Sequence, residues 1–286
     1  MKSGKDQVLL TLIQENFIVK ALTGCCDIVA RKDDRILLIK ILEDANAMTA
    51  ESATELLKTA AAIHATPLMI SEKATTKLKD YVVYNRYQIL TINNTTFQAS
   101  LHDAPLFMIS KKSGIMAQLH GEKVKECREK EDISLGKLSM QLGISKRMLT
   151  RYEQEGAEVS IQRALKVYKI FGNQVFKNVE LFSTQIEQTQ EVSSDISLKF
   201  QNLGFAVTET KKVPFDVVAQ KENTLILTKI GDNVHRDLNN ISHAIGANDL
   251  AIISKKKPMN MPSCTKEEFL EFEKAIELIK FIQEYQ

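Results

Sequence analysis

The chain has 286 residues, of which 44% are hydrophobic and 26% charged, and its net charge is +2. This length exceeds one typical domain, and the composition is that of a globular protein with enough apolar side chains for a core. The near-neutral charge excludes a basic field over the whole surface, so any DNA-binding surface must be local.

The sequence carries no motif for a metal, another cofactor or a membrane. Its four cysteines form no CxxC pair, which is typical of free thiols in a reducing compartment; they are Cys25, Cys26, Cys127 and Cys264. No stretch offers the roughly 18 consecutive apolar residues that a membrane helix needs, and the N-terminus lacks the pattern of a signal peptide. We therefore expect a cytoplasmic protein without cofactors.

Two segments of the chain share one pattern. NFIVKALTGCCDIVARKDDRILLIKIL has an apolar strand led by Phe17, then Asp27-Ile-Val-Ala, a polar turn and a second strand. GFAVTETKKVPFDVVAQKENTLILTKI repeats this from Phe205, with Asp216-Val-Val-Ala. An alanine-containing helix and another strand follow in each copy. This order of strand, strand, helix and strand predicts two related α/β domains.

Further elements follow each copy. After the first copy we predict a helix over residues 72–84 and then a strand at YQILTIN. After the second copy we predict one helix from about Lys266 to Tyr285. Residues 183–195 are polar and low in apolar side chains, so we interpret them as a connector, either coil or solvated helix.

The middle of the chain, between Gly121 and Gly172, has a wholly helical pattern. Ser134, Ser145 and Ser160 are N-cap candidates of three successive helices, and Gly143 suits a tight turn with positive φ. The periodicity assigns apolar side chains to the inner helix faces. They are Val124 and Cys127, then Leu135, Leu138 and Leu142, then Ile144, Leu149 and Tyr152, and finally Ile161, Ala164, Leu165, Tyr168 and Phe171.

Two short helices joined by a turn that contains glycine have the geometry of a DNA-binding helix-turn-helix. The segment resembles the phage-repressor (Cro-type) helix-turn-helix family in Ser139 at the helix contact, the Leu142-Gly143-Ile144-Ser145 turn and the Arg151-Tyr152-Glu153 helix end. At Leu135 it departs from the glutamine with which the family often holds the DNA backbone, and Lys137 is a candidate to supply that contact.

This resemblance implies that the start of the helix Ser145–Glu153 reaches base edges in the major groove. Residues 110–177 contain fourteen Lys and Arg and eight Asp and Glu. This charge alone is more typical of a solvated helix face, but together with the turn pattern and the length of the match it favours DNA binding. We expect Lys146 or Arg147 to bind guanine, and Thr150 to meet a thymine methyl or a phosphate. The DNA-binding candidates are Ser134, Lys137, Ser145, Lys146, Arg147, Thr150 and Arg151, of which Arg151 would contact the DNA backbone or pair with Glu155.

The two copies resemble the restriction-endonuclease-like superfamily. That fold implies an aspartate at the start of a hairpin and an acid-x-lysine set on the next strand, which hold Mg²⁺ and activate water. Asp27 and Asp216 match the aspartate. We align the acid and lysine positions with Lys40 and Leu42 in the first copy and with Lys229 and Gly231 in the second, so the acid is missing from both. We expect no catalytic residue, and we predict that Asp27 and Asp216 either cap their turns or pair with the lysine on the adjacent strand, Lys40 or Lys229.

The order α/β, all-α, α/β predicts three domains: an inactive endonuclease-like domain at 1–110, the helix-turn-helix at 111–177 and an inactive endonuclease-like repeat at 178–286. This order resembles an archaeal family of helix-turn-helix transcriptional regulators. The resemblance implies sequence-specific binding of double-stranded DNA, no enzymatic activity and a homodimer that binds two half-sites. An effector or protein partner of the flanking domains stays open. Two alternatives are a DNA-processing nuclease or its accessory subunit, and an interaction scaffold that no longer binds DNA.

Overall fold

A computed structural model describes residues 4–182, 192–233, 236–254 and 261–285. The chain forms two compact units, one of residues 1–70 with 182–286 and the other of residues 71–181. These limits differ from the predicted domain boundaries after residues 110 and 177, which stay a prediction. Within the described ranges no helix is long and apolar enough to cross a membrane. The predicted connector at 183–195 lies outside the described residues up to residue 191.

The N-terminal half of the first unit is a helix followed by a small sheet. Its elements are α1 (Gly4–Gln14), β1 (Ile18–Ala21), β2 (Ile28–Lys32), β3 (Arg35–Asp44), a 3-10 turn (Ala45–Ala47), α2 (Ala50–Ala62) and the start of β4 (Thr66–Ala74). The sheet order is β1-β2-β3-β4, and the first three strands are antiparallel. Val29 and Ala30 are adjacent and both fully buried, so β2 is covered on both of its faces.

The C-terminal half of the same unit repeats this order of elements. It contains α8 (Asp195–Asn202), β11 (Ala206–Glu209), β12 (Val217–Lys221), β13 (Thr224–Ile230), α9 (Arg236–Ile245), β14 (Asn248–Ile253), β15 (Ser263–Thr265), α10 (Lys266–Glu271) and α11 (Ala275–Gln283). The sheet order is β11-β12-β13-β14-β15, with β14 parallel to both neighbours. The prediction of one helix over 266–285 is wrong, because the backbone is extended at Phe272, whose ring packs against Phe269 and Phe281.

The two halves of the first unit bind each other directly. The backbone N–H of Cys25 donates to the carbonyl of Lys212 at 2.8 Å, and the Lys212 ammonium lies 2.9 Å from Glu51. On the neighbouring residue, the N–H of Lys211 donates to the Glu55 carboxylate at 2.9 Å. Residues at the two ends of the chain therefore depend on each other for one folded unit.

The second unit combines a mixed sheet with a bundle of helices. Its elements after β4 are β5 (Thr76–Lys77), β6 (Val82–Arg86), β7 (Ile89–Ile92), α3 (Asn94–Leu101), β8 (Met108–Lys111), β9 (Gly114–Leu119), α4 (Gly121–Lys130), α5 (Leu135–Leu142), α6 (Lys146–Glu155), β10 (Ala157–Ser160) and α7 (Ile161–Phe171). The strand order is β7-β6-β8-β9-β10. The helices pack on β9, whose Ala117 and Leu119 belong to the same buried cluster as the bundle core.

Two sequence predictions for this unit are wrong. Residues 72–84 form strands and turns rather than a helix, because β-branched residues favour extended backbone and Thr75 and Tyr81 adopt positive φ. The central segment is not wholly helical either. Residues 157–160 form β10, in which Val159 pairs with Ala117 of β9, so the bundle is attached to the sheet through this strand.

The inner face of α7 also differs from the prediction. Leu165 and Tyr168, which were expected in the core, are 49% and 47% exposed. The buried face consists of Ala164 and Phe171, as predicted, together with Val167, which the predicted stripe did not include. Two large apolar side chains of α7 therefore lie at the surface.

Candidate nucleic-acid interface

Four helices, α4 to α7, surround one apolar core that includes the fully buried Leu138 and Leu149. Ser134 is the N-cap of α5 and Ser145 is the N-cap of α6. The side-chain oxygen of each serine accepts a hydrogen bond from the backbone N–H three residues further on, at 3.2 and 3.1 Å. Gly143 ends α5 with φ +68°, a conformation that glycine adopts without steric cost. These caps and this turn were predicted and are confirmed. Ser160 occupies the N-cap position of α7 but makes no side-chain capping hydrogen bond.

Helix α6 divides into a buried and an exposed face. Leu149 and Tyr152 are buried, whereas Lys146, Arg147 and Arg151 are exposed. The hydroxyl of Thr150 donates to the carbonyl of Lys146 at 3.1 Å, so its proton is committed to the helix. The methyl group of Thr150 is then the natural contact for an apolar group such as a thymine methyl.

The remaining predicted contact residues lie on the surface of the same bundle. Ser134, Lys137 and Ser145 are exposed, and both serine hydroxyls keep a proton to donate because the cap bonds use only their acceptor capacity. In the part of the chain that the structure describes, Arg151 forms no ion pair with Glu155. Its exposed guanidinium can therefore meet a phosphate.

Lys146 has different surroundings from Arg147, because its side chain lies next to Gly136 of α5. A side-chain carbon built at Gly136 would lie only 3.1 Å from Cε and 3.5 Å from Nζ of Lys146. Because residue 136 is a glycine, the side chain of Lys146 has room to reach the first turn of α5. A helix N-terminus attracts anions, so Lys146 adds its positive charge at a place suited to a phosphate.

A buried ion pair connects the first and third helices of the bundle, and sequence reasoning missed it. Arg128 Nε donates to Glu153 Oε1 at 2.6 Å and Nη2 donates to Oε2 at 3.0 Å. The two residues are only 8% and 7% exposed. The hydrogen bond to Glu153 raises the pKa of Arg128. This bidentate pair holds the C-terminal end of α6 against α4.

The nuclease-like positions of the first unit form two matching ion pairs. Lys40 Nζ lies 3.3 Å from Asp27 Oδ1, and Lys229 Nζ lies 2.9 Å from Asp216 Oδ1. In each half the second carboxylate oxygen accepts a backbone N–H at 2.7 Å, from Ile41 or Ile230. The predicted pairing of each aspartate with its lysine is confirmed.

The geometry corrects the register of the acid-x-lysine alignment. The lysine that lies beside the aspartate is Lys40, so the acid would stand two residues earlier, at Leu38 and not at Lys40. In the second half the equivalent position is Leu227. Both leucines are buried, with exposures of 2% and 0%.

These residues do not fit a Mg²⁺ site. Each half supplies one carboxylate, and its oxygens already accept hydrogen bonds from a lysine and a backbone N–H. Mg²⁺ prefers oxygen ligands in octahedral geometry, and a buried leucine offers none. Among the described residues, no group of three or more His, Cys, Asp or Glu could hold a metal.

Replacing Lys40 with methionine should lower the free energy of unfolding of the first unit by about 1–2 kcal/mol, since it leaves a partly buried carboxylate without its partner. Lys229→Met should have a similar effect. Urea unfolding followed by circular dichroism measures both, with the exposed Lys280→Met on α11 as control. If Lys40→Met and Lys280→Met unfold at the same urea concentration, the ion pair does not stabilise the fold.

Comparisons with known proteins fall on the same two parts of the chain. Residues 3–106 match the model of a PD-(D/E)XK superfamily domain, and residues 124–174 match a helix-turn-helix model. A protein of Archaeoglobus fulgidus named "Putative HTH-type transcriptional regulatory protein" is 31% identical over 91% of this chain and 89% of its own length. A relative of the same description from Methanocaldococcus jannaschii is 28% identical over 95% and 93%. No solved structure matches the chain.

Proposed function

This chain belongs to the family of archaeal HTH-type transcriptional regulatory proteins, and on that premise we propose that it recognises a specific double-stranded DNA sequence with helix α6. The N-terminal part has the PD-(D/E)XK fold and the middle has the helix-turn-helix, as the sequence predicted. The observation that carries the proposal is the capped helix α6, which presents the exposed Lys146 and Arg147 and the half-buried Thr150 outside the core.

Different side chains of the bundle would have different tasks on DNA. We assign Arg147 to a guanine, because a guanidinium can donate two parallel hydrogen bonds to O6 and N7. Lys146 would bind a phosphate, since it lies across Gly136 at the start of α5. Lys137 and Arg151 would bind further phosphates, and the serine hydroxyls of the two caps would donate to the same backbone.

Selecting bound fragments from random DNA tests this function. We expect one enriched sequence with two inverted half-sites about 10 bp apart, because a homodimer of such modules reads a palindrome. Enrichment of a single half-site would contradict the dimer. If no sequence is enriched although DNA is bound, α6 does not read bases.

Binding should depend strongly on salt. Three phosphate contacts per protomer, from Lys137, Lys146 and Arg151, predict that affinity falls about 40-fold between 50 and 200 mM salt, and about 2,000-fold for a dimer with six contacts. Fluorescence anisotropy with a labelled fragment of the selected sequence measures this slope. A slope near zero would mean that these cations do not meet the DNA backbone.

A second candidate function is a nuclease or its accessory subunit, and the match of residues 3–106 to a PD-(D/E)XK domain favours it. The lysine-paired aspartates and the buried Leu38 and Leu227 argue against catalysis. Incubation of supercoiled plasmid with Mg²⁺ or Mn²⁺ decides between the two. Nicking that Asp27→Ala abolishes would establish the nuclease, whereas an intact plasmid supports a regulator without enzymatic activity.

We assign the first unit a supporting task within the same cytoplasmic regulator. Its halves share one order of elements and one aspartate–lysine pair, which supports their origin from a duplication. The unit would serve as a platform for dimerisation or for a protein partner. Light scattering of the full chain measures the oligomeric state, and a dimer is the expected result.

A further inference from the structure

An apolar cavity of about 290 Å³ lies within the second unit, between α7 and the segment that leads into β8. Tyr81, Pro105, Phe107 and Met108 line one side, and Leu165 and Tyr168 of α7 line the other. None of the described residues that line it carries a charge. A site of this kind favours an uncharged ligand, because a charge would lose its hydration without gaining a partner.

The rings in this cavity are arranged for stacking. Phe107 lies nearly parallel to Tyr168, with centroids 5.9 Å apart and planes at 21°, and to Phe176, at 4.4 Å and 15°. A planar aromatic molecule can extend such a stack. Leu165 and Tyr168 are half exposed although a helix in a bundle normally buries such residues, so an apolar ligand would remove their surface from water.

Tyr81 is held at the cavity by an unusual backbone conformation. Its φ is +60°, which is uncommon for a residue other than glycine and costs free energy. Its N–H donates to the hydroxyl of Thr96 at 2.8 Å, which fixes this conformation. This conformation leaves a tyrosine ring 46% exposed beside the cavity.

The dimensions favour a small molecule over a second copy of the chain. A dry cavity of about 150 Å³ holds benzene, so 290 Å³ corresponds to about two fused rings. The large exposed apolar residues of the patch are Tyr81, Leu165 and Tyr168, each about half exposed. Aromatic side chains bury at most about 150–250 Å² each, and three half-exposed side chains fall well below the roughly 800 Å² per partner of a stable interface.

We propose that this cavity binds a small, uncharged, planar aromatic molecule that stacks on the Phe107–Tyr168 pair and bridges α7 to residues 104–108. The exposed face of α6 does not line the cavity, so ligand and DNA use different surfaces. Helix α7 contacts α6 directly, because Arg163 Nη1 donates to the hydroxyl of Tyr152 at 3.2 Å. A bound ligand would therefore stabilise the position of α7, the helix that supports α6.

Titration of the full chain with indole, measured by calorimetry, tests the proposal. We expect saturable binding of one indole per chain, and Leu165→Arg should weaken it at least about tenfold because it brings a charge to an apolar site. Leu198→Arg on α8 is the matched control, since Leu198 is 46% exposed and belongs to the other unit. Circular dichroism establishes that each variant is folded.

Tyr168→Ala provides a second variant in case Leu165→Arg does not fold, and it should weaken binding by removing the stacking ring. Absence of saturable indole binding, or equal binding by wild type and both cavity variants, overturns the proposal. The proposal is also overturned if the wild-type chain is a dimer that binds no indole and the Leu165→Arg variant is a monomer, because a second copy of the chain would then cover the cavity.

Discussion

An Arg147→Ala variant is expected to bind the selected DNA sequence about 10- to 100-fold more weakly than wild type, because a bidentate contact to guanine contributes about 1–3 kcal/mol of discrimination. Its affinity for unrelated DNA should change little. Arg147 is exposed in the first turn of α6, so the substitution leaves the core of the bundle intact. Anisotropy titrations at one fixed salt concentration, with selected and scrambled fragments, measure the ratio.

Lys146→Ala provides the contrast. Loss of a lysine that binds a phosphate should lower affinity for both fragments by the same factor and reduce the salt slope by about one per protomer. Lys123→Ala, an exposed lysine of α4, controls for the loss of one positive charge. If Arg147→Ala weakens both fragments equally, Arg147 binds the DNA backbone and the base contact must lie elsewhere on α6.

Glu153→Gln should destabilise the helix-turn-helix bundle by about 3–5 kcal/mol, the cost of removing one partner from a buried ion pair. The glutamine would leave the guanidinium of Arg128, which is 8% exposed, without the carboxylate of its bidentate pair and with only the exposed Glu129 carboxylate, 3.3 Å from Nη2, as an opposing charge. Hydrogen exchange of the α4 and α6 amides in the full chain measures the loss, because exchange through local unfolding reports the stability of the bundle itself.

Glu155→Gln is the matched control, since Glu155 is exposed two residues further along α6. It should leave the exchange rates unchanged. A double variant, Arg128→Met with Glu153→Leu, should recover most of the stability, because apolar residues of similar volume often replace a buried ion pair without loss. Equal exchange in Glu153→Gln and wild type would show that the pair contributes little to stability.

Local signals made the candidate interface predictable. The hydroxyl caps at Ser134 and Ser145 and the positive φ at Gly143 each depend on residues within one helical turn, so sequence spacing is sufficient to find them. The aspartate–lysine pairs were also predictable, because strands adjacent in the chain bring Asp27 close to Lys40.

Features that depend on tertiary packing were not predictable in the same way. Arg128 and Glu153 are 25 residues apart, and helix periodicity does not specify which helices meet. A signal was present nevertheless. Arg128 follows Val124 by one turn and Glu153 follows Leu149 by one turn, so each charge stands on an inner face. On α7, the exposed Leu165 and Tyr168 satisfied the hydrophobic pattern as well as the buried Val167 did.

The pairing of residues 1–70 with residues 182–286 also sets an order for folding during synthesis. At about 5–20 residues per second, translation of residues 71–181 takes roughly 5–20 s, during which the N-terminal half has no partner. The helix-turn-helix and its sheet are continuous in sequence and can form first. A nascent chain that stalls once residue 181 has left the ribosome would therefore display a complete helix-turn-helix unit and an unpaired N-terminal half, whose contacts to Lys211 and Lys212 await the rest of the chain.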